Sequence, residues 1–503
     1  MASETITPGW RRSWPSRRDG EPSATTVAVA LTALAAVIRV PTLSVQSFWL
    51  DEGYTVALVR MSFGTMLRTI PRTESTPPLY YALAWAWTRV FGSSEFGLRS
   101  LSALAGIATI PVAWALARRL AGDRAALIAG LLLAVSPLMV WFSQEARAYA
   151  LASLLATGTL LCVAAHLQDE RARWLWGWAA CAALGFATHY FVAFVVAPQV
   201  VFLWWRAHGN RRVWAASGIV LIVAVALVPL ALAQRGTGHA DYIAQGSLAT
   251  RVLQVPKQFL IGYASPAQTV TAVLAAAAVA AGALWPLGAD RSVARQSRLP
   301  LAVGLAAVVV PILLALVGVD FLDTRNLLPA LPALCVAAAI GFAADRTWPR
   351  SAALAGVLAL VCIVVVVLVE TDPRYQRADW RGAATALGAA TVPRAIDVTP
   401  GSGLIPLQIY EPRLRALTAP VRVRELDVVA LPAQVTGAGI AMPLRPARPL
   451  PVPVGFHLFR AVWTRTYTVL RYRAAQATAV GPSLAGDDDL GPGSATALVQ
   501  LPP

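Results

Sequence analysis

Residues 97–147 read GLRSLSALAGIATIPVAWALARRLAGDRAALIAGLLLAVSPLMVWFSQEAR, two apolar runs joined by a short turn that carries Arg118, Arg119 and Arg124. A helix needs about 20 apolar residues to cross the hydrocarbon core of a bilayer, and each run supplies nearly that many. Arginine gathers in cytoplasmic loops, so the turn reads as inside and both far ends of this helical hairpin as extracytoplasmic. The second run ends there in a polar cluster, Gln144, Glu145 and Arg147. Working outward with the same rule gives spans at 25–43, 97–117, 125–142, 147–166, 174–188, 190–205, 212–233, 268–287, 299–318, 326–343 and 351–370. Arg11, Arg12, Arg17 and Arg18 ahead of the first span then share the cytoplasmic face with the Arg118 turn. So do the loops bearing Arg171 and Arg173, Arg206, Arg211 and Arg212, Arg291, Arg295 and Arg298, and Arg346 and Arg350. The pattern predicts an α-helical polytopic membrane protein of about eleven transmembrane helices, N-terminus inside and C-terminus outside.

Composition points the same way. The 503 residues are 57% hydrophobic and 14% charged, with mean hydropathy +0.59, whereas a soluble domain carries roughly 25% charged residues. The formal charge of +16 comes from short arginine clusters between apolar runs, and Lys257 is the only lysine. That distribution describes topology and argues against a nucleic-acid partner. Cys162, Cys181, Cys335 and Cys362 all fall in apolar stretches without paired spacing or a neighbouring histidine, so neither disulfides nor a structural metal is expected.

Residues 77–91, PPLYYALAWAWTRVF, are apolar but too short to span. A crossing there would also move every later arginine cluster to the other face, so they read as an interfacial helix opened by the double proline. The first run could be a signal peptide, but no small-residue cleavage site follows it. Residues 1–24 form a basic cytoplasmic segment, 25–370 the membrane domain with a long outer loop at 44–96, and 371–485 a small extracytoplasmic α/β domain. In that domain DPRYQRADWRGAATAL reads as a short helix, and strand-like runs follow at 395–399, 404–410, 421–430 and 456–472. The stretch 486–503, rich in Gly, Pro and Asp, reads as disordered.

The residues able to do chemistry fall at the outer ends of the spans. Asp51 and Glu52 are adjacent in SFWLDEGYTVALVR, flanked by apolar and aromatic residues, and such carboxylates are functional candidates. Gln144, Glu145 and Arg147 end the third span, Thr188, His189 and Tyr190 the fifth, and Asp320, Asp323 and Arg325 open the tenth. Each cluster alone could be a cap or an interfacial anchor, but together they can converge on one extracytoplasmic cavity. A carboxylate with arginines at a membrane surface suits transfer of a sugar from a polyprenyl phosphate. A base takes the acceptor hydroxyl proton and cations receive the departing phosphate. No general acid is required, because phosphate is already a good leaving group.

The series LDEGYT (50–55), ESTPPLYY (74–81), SQEARAYAL (143–151), THY (188–190) and TRNLLPALP (324–332) resembles the bacterial polytopic glycosyltransferases of the GT-C class, in particular the protein-mannosyltransferase/aminoarabinose-transferase-like superfamily. DWRGAATAL at 379–387 is similar to the start of that family's outer tail. The resemblance implies a GT-C fold, with Asp51 the general base of an inverting displacement and Glu52 an auxiliary carboxylate that orients acceptor or donor. Arg147 would bind the donor phosphate with Glu145 holding it in place. Arg325, Glu74, Tyr80, His189 and Tyr190 would complete the substrate site. Thr76 and Asn326 depart from the family, which often has histidine and tyrosine at these points. The first departure argues against a metal-dependent mechanism, and no metal or cofactor is expected. The resemblance implies a polyprenyl-phosphate sugar donor, mannose or a pentose leading. The hydroxyl acceptor would be on a glycolipid, a polysaccharide or a protein.

A transporter or lipid-carrier flippase would share this hydropathy. Transporters place ionisable groups near the bilayer midplane, often in matched halves, whereas here the span centres are apolar and no half repeats. An inactive scaffold with an outer recognition domain is a third reading, and the presence of both Asp51 and Arg147 speaks against it.

Overall fold

The structure, a computed structural model, describes residues 23–207, 209–431, 454–484 and 495–502. The basic segment 1–24 lies almost wholly outside the described residues. Helices dominate as far as Thr371, and every expected span coincides with a helical segment. Among the described residues seven helices are long and apolar enough to cross a membrane: 95–121, 149–169, 211–235, 268–289, 291–316, 324–342 and 345–371. Helices at Ala24–Arg39 and Val192–Ala207 are shorter and apolar.

We label the helices of the first half in chain order. They are α1 (Ala24–Arg39), α2 (Leu50–Arg60), α3 (Phe63–Thr73), α4 (Leu79–Phe91), α5 (Glu95–Ala121), α6 (Asp123–Val135), α7 (Pro137–Ser143) and α8 (Tyr149–Asp169). The expected span 125–142 is broken into α6 and α7, bent by 57°. The break sits at Ser136-Pro137, where Pro cannot donate to the ladder and the Ser136 hydroxyl caps the Met139 N–H. Arg39, fully buried at the end of α1, covers this break by donating to the Leu133 and Ala134 carbonyls (3.2 and 2.7 Å) and to Ser143 Oγ (3.1 Å). Gly106 of α5 lies beneath, where a Cβ would stand 2.0 Å from Ser143 Oγ. Gly106→Ala should therefore cost roughly 1–3 kcal/mol of overpacking. An unfolding temperature equal to wild type in a detergent melt would show that the contact is slack.

The two ends of the bundle differ in chemistry, and the difference places the site. At one end three arginine loops meet: Arg119 bonds Gln168 (3.1 Å) and lies over Trp174, while Arg124 bonds Asp345 (2.8 Å) and lies over Trp348. The opposite end carries α2, α3 and α4. Helix α4 is about 20 Å long at 1.5 Å per residue. It stays at that end, because Trp85 donates to Met61 O (2.9 Å) and Trp87 to Gly97 O (3.1 Å). The prolines at 77–78 begin it as expected. Between the ends, α8 and the 324–342 helix are the most buried, whereas 211–235 turns most of its surface outward. Exposed Leu221, Ile222, Leu313 and Leu360 are what a lipid-facing surface requires.

In the expected outer domain the described residues form a six-stranded sheet in the order β2-β6-β1-β3-β5-β4. Its strands are β1 (Arg394–Thr399), β2 (Arg415–Ala416), β3 (Val421–Ala430), β4 (Phe456–Trp463), β5 (Thr468–Val480) and β6 (Thr496–Gln500). Among the described strands only β1 and β3 pair in parallel. Helices Trp380–Leu387 and Leu404–Tyr410 cover one face through Trp380, Ala383, Leu387 and Leu407. Two expectations are corrected. Residues 404–410 form a helix, and 496–500, within the stretch read as disordered, form a strand between β1 and β2. Residues 485–494 lie outside the described residues. Buried Leu498 explains the strand: ALVQ packs apolar side chains into the sheet.

Candidate active site

Helix α2 aims its first turn at the site. It begins at Leu50 with Asp51 and Glu52 in the first turn, where carboxylates meet the positive end of the helix dipole. Successive helical residues diverge by about 100°, so the pair divides. Glu52 turns inward and is fully buried. It takes Arg99 Nε and NH2 at 2.7 and 2.5 Å, the Ala146 N–H at 2.8 Å and the Trp49 N–H at 3.3 Å. Burial alone would raise the Glu52 carboxyl, but the Arg99 charge and hydrogen bonds hold it below its ordinary value. Asp51 keeps a quarter of its side chain exposed and accepts from Arg325 NH1 at 2.9 Å.

Two arginines flank Asp51. Arg147 arrives on the non-helical segment between α7 and α8 and donates to Glu74 Oε2 at 2.7 Å, with longer approaches to Asp51 O (3.4 Å) and Thr55 Oγ1 (3.5 Å). Glu74 also accepts from Tyr81 at 2.5 Å, and the Tyr81 hydroxyl is 3.0 Å from Thr76 Oγ1. Thr76 thus belongs to the network that holds Arg147. Arg325 opens the 3-10 turn Thr324–Ala330, capped by Asp323. Its Nε is 3.1 Å from Asp323 Oδ2, and its guanidinium lies 5.6 Å from the Tyr242 ring. Burial pushes the Asp323 carboxyl up to about 6, and the charge of Asp51 adds to the rise. His189 is buried against Tyr149 and Phe191. Burial, then Arg147 and Arg325, bring it down to about 3, so it stays neutral across the physiological range.

The structure brings together Asp51, Glu74, Arg147 and Arg325, with His189 beside them, and moves four expected residues elsewhere. Glu52 does not face substrate, because Arg99 and the Ala146 amide use both of its oxygens. Glu145 does not hold Arg147: it pairs with Arg377 at 2.9 Å, and Glu74 takes the expected role. Burial pushes the Glu145 carboxyl up to about 7. Tyr80 is fully buried behind the site, 2.8 Å from Ser102 Oγ, which in turn donates to Arg147 O at 3.3 Å. Tyr190 is tied to Gln234 at 2.7 Å. Arg99, Arg377, Tyr81 and Tyr54 were not singled out in the sequence. Tyr54 is half-buried, and its hydroxyl is raised by burial and by the charges of Asp51 and Glu74.

A small recess lies behind α7 between Pro137, Trp141, Tyr263, Val366 and Glu370 and does not include Asp51. In the candidate site Asp51 is the most open side chain, while those of Glu74, Arg147 and Arg325 are nearly or fully buried. Among the described residues no three His, Cys, Asp or Glu side chains converge to hold a metal ion.

Comparison with known proteins fits this geometry. Residues 75–233 match the family model of dolichyl-phosphate-mannose-protein mannosyltransferases. No curated protein matches the chain in sequence. The structure is similar to that of ArnT from Cupriavidus metallidurans bound to undecaprenyl phosphate, with TM-score 0.53 at 14% identity over 91% of this chain and 100% of ArnT. It is equally similar to ArnT in the apo state, with TM-score 0.53 at 14% identity over 90% and 98% of the two chains. The likeness shows a shared fold, the GT-C architecture that the motifs imply.

Proposed function

We propose that the protein is a membrane glycosyltransferase that moves a sugar from a polyprenyl-phosphate donor to a hydroxyl acceptor on the extracytoplasmic face, with inversion. The observation that carries this reading is Asp51 at the end of the bundle opposite the arginine loops, with its carboxylate held by Arg325 at 2.9 Å and its backbone carbonyl approached by Arg147 at 3.4 Å. The acceptor oxygen attacks the anomeric carbon, the bond from that carbon to the phosphate oxygen breaks, and the electron pair leaves with the phosphate. Asp51 takes the acceptor proton, and the two guanidiniums meet the charge that gathers on the phosphate. Undecaprenyl phosphate bound to ArnT supports a lipid-linked donor here. The sugar is mannose or a pentose, in line with the mannosyltransferase family model.

Arg325 is engaged by Asp51 at 2.9 Å. An arriving phosphodiester competes for that guanidinium, so donor binding also frees the Asp51 oxygen that must accept a proton. Donor then precedes acceptor.

The test is sugar transfer from a panel of radiolabelled polyprenyl-phosphate sugars by protein in lipid, with and without EDTA. Transfer from one donor, resistant to EDTA, supports the reading and names the sugar. No transfer from any donor by folded protein overturns it in favour of a transporter or scaffold. Arg147→Ala should raise the donor KM by roughly 10- to 100-fold, the worth of a lost charge-assisted hydrogen bond. Unchanged donor dependence would make Arg147 a purely structural arginine.

A further inference from the structure

Residues 377–381 at the head of the outer domain reach into both segments that carry the reacting groups. The Arg377 side chain is buried. It donates to Glu145 Oε2 at 2.9 Å, to Trp141 O at 3.3 Å and to Gln144 O at 3.4 Å, and it lies 4.1 Å over the Trp141 ring. Its own N–H donates to Gln46 Oε1 at 2.9 Å. Next to it, Ser47 Oγ donates to Ala378 O at 3.1 Å and accepts from the Trp380 N–H at 3.0 Å. Arg381 donates to Ser44 O and Val45 O at 3.1 and 2.8 Å. One short stretch therefore grips the approach to α2, which presents Asp51, and the segment after α7, which presents Arg147.

The second grip matters because residues 144–148 have no ladder of their own. The Arg147 N–H closes a tight turn onto Glu145 O at 2.7 Å. The other bonds run outward, from the Ala146 N–H to Glu52 and from the Gln144 side chain to Thr42 Oγ1 at 2.6 Å. Backbone without a helix or strand takes its shape from the groups that satisfy it, and Arg377 satisfies the side chain of Glu145 and the carbonyl of Gln144. Glu145 stands two residues from Arg147, so a shift at Glu145 moves the guanidinium that faces Asp51. Helix α8 begins just beyond at Tyr149 and gives no freedom to absorb the shift.

We propose that Arg377 is a positioning residue of the active site, which fixes the 144–148 segment through Glu145 and thereby couples the outer domain to recognition of the donor phosphate. This rests on the glycosyltransferase reading for the identity of the ligand, though not for the role of the segment. Arg381 supplies the comparison. It bonds the same outer domain to the same membrane domain but makes no bond to residues 141–148, so a simple staple between domains would make the two arginines equivalent.

The experiment uses the full chain in lipid nanodiscs, comparing wild type with Arg377→Met, Arg377→Lys, Glu145→Gln and Arg381→Ala. Two quantities are read: hydrogen exchange of peptides covering 143–149 without substrate, and KM and kcat for the polyprenyl-phosphate sugar. In Arg377→Met and Glu145→Gln, exchange in 143–149 rises at least tenfold and the donor KM rises at least tenfold. The acceptor KM stays unchanged, and Arg377→Lys falls between. Arg381→Ala leaves exchange in 143–149 and the donor KM at wild-type values. Unchanged exchange in both Arg377→Met and Glu145→Gln overturns the proposal, and so do equal effects from Arg377→Met and Arg381→Ala. Should Arg377→Met fail to fold, the near-isosteric Glu145→Gln and the charge-preserving Arg377→Lys carry the comparison. A wild type that uses no donor sinks the functional reading, and the exchange result then decides the positioning role by itself.

Discussion

Asp51→Asn should lower sugar transfer by at least about 100-fold, the lower bound for loss of a general base, while binding polyprenyl phosphate more tightly than wild type. The amide keeps the volume of the carboxylate but cannot take the acceptor proton. The gain in affinity has a separate cause. Arg325 NH1 is bonded to Asp51 Oδ2 at 2.9 Å, so phosphate must displace a carboxylate to reach that guanidinium. Removing the charge removes the competitor. A charged hydrogen bond is worth about 1.5–3 kcal/mol when desolvated. With Asp51 a quarter exposed, solvent screening reduces this, so the tightening is of the order of three- to tenfold. Titration of polyprenyl phosphate into nanodiscs, alongside a transfer assay, reads both effects. Near-normal turnover by the variant eliminates Asp51 as the base. Affinity equal to wild type, with transfer lost, keeps the base but removes the competition between Asp51 and phosphate.

Arg99→Met should be the most destabilising substitution in the site region, at roughly 3–5 kcal/mol. Arg99 and Glu52 are both fully buried, and Arg99 also satisfies the carbonyls of Leu43, Gln46 and Ser47 at 2.8, 2.8 and 2.9 Å. Truncation leaves one buried carboxylate and three carbonyls without their donor. Since a domain is stable by only about 5–15 kcal/mol, the variant should accumulate poorly and melt well below wild type. Changing both partners, Arg99→Met with Glu52→Met, removes the stranded charge and should recover part of the loss. A melt of Arg99→Met within a degree of wild type contradicts this account. The linkage has a definite sign. The folded Glu52 carboxyl is held below its ordinary value of 4.5, so the pair stabilises above about pH 4.5 and the contribution is lost as pH falls further through the folded value.

Much of the helical layout was legible because membrane crossing imposes a length and an apolar composition that few other structures share. The break between α6 and α7 was not read, although Ser136-Pro137 signals it, because apolar residues continue through it. Strand β6 was missed for the opposite reason: the acidic, glycine-rich run before it set the expectation for what followed. The helix at 404–410 reads as a strand in the sequence because LIPLQIY is short, apolar and Ile-containing, and length does not arbitrate.

Within the site, Asp51, Glu74, Arg147 and Arg325 were found as residues, but their pairings were not. Adjacent Asp51 and Glu52 look equivalent in sequence, and the 100° step of the helix leaves one partly exposed beside Arg325 and buries the other against Arg99. Proximity in sequence suggested Glu145 for Arg147. The true partners lie 73 residues from Arg147 and 232 residues from Glu145, separations that no local pattern reveals. Arg99 was invisible because it sits at the head of an apolar span, where an arginine ordinarily marks a membrane boundary.

Strand β6 lies between β1 and β2, yet it follows every other strand in the chain. The sheet therefore cannot be completed during synthesis until residues 496–500 have been made. Until then β1 presents an open edge beside a membrane crowded with other emerging chains, and such an edge invites pairing with the wrong partner. A protein of this design needs either rapid synthesis through residues 496–500 or a chaperone to shield β1. Reporter tags fused directly after residue 500 should consequently lower yield more than tags placed at the other end of the chain.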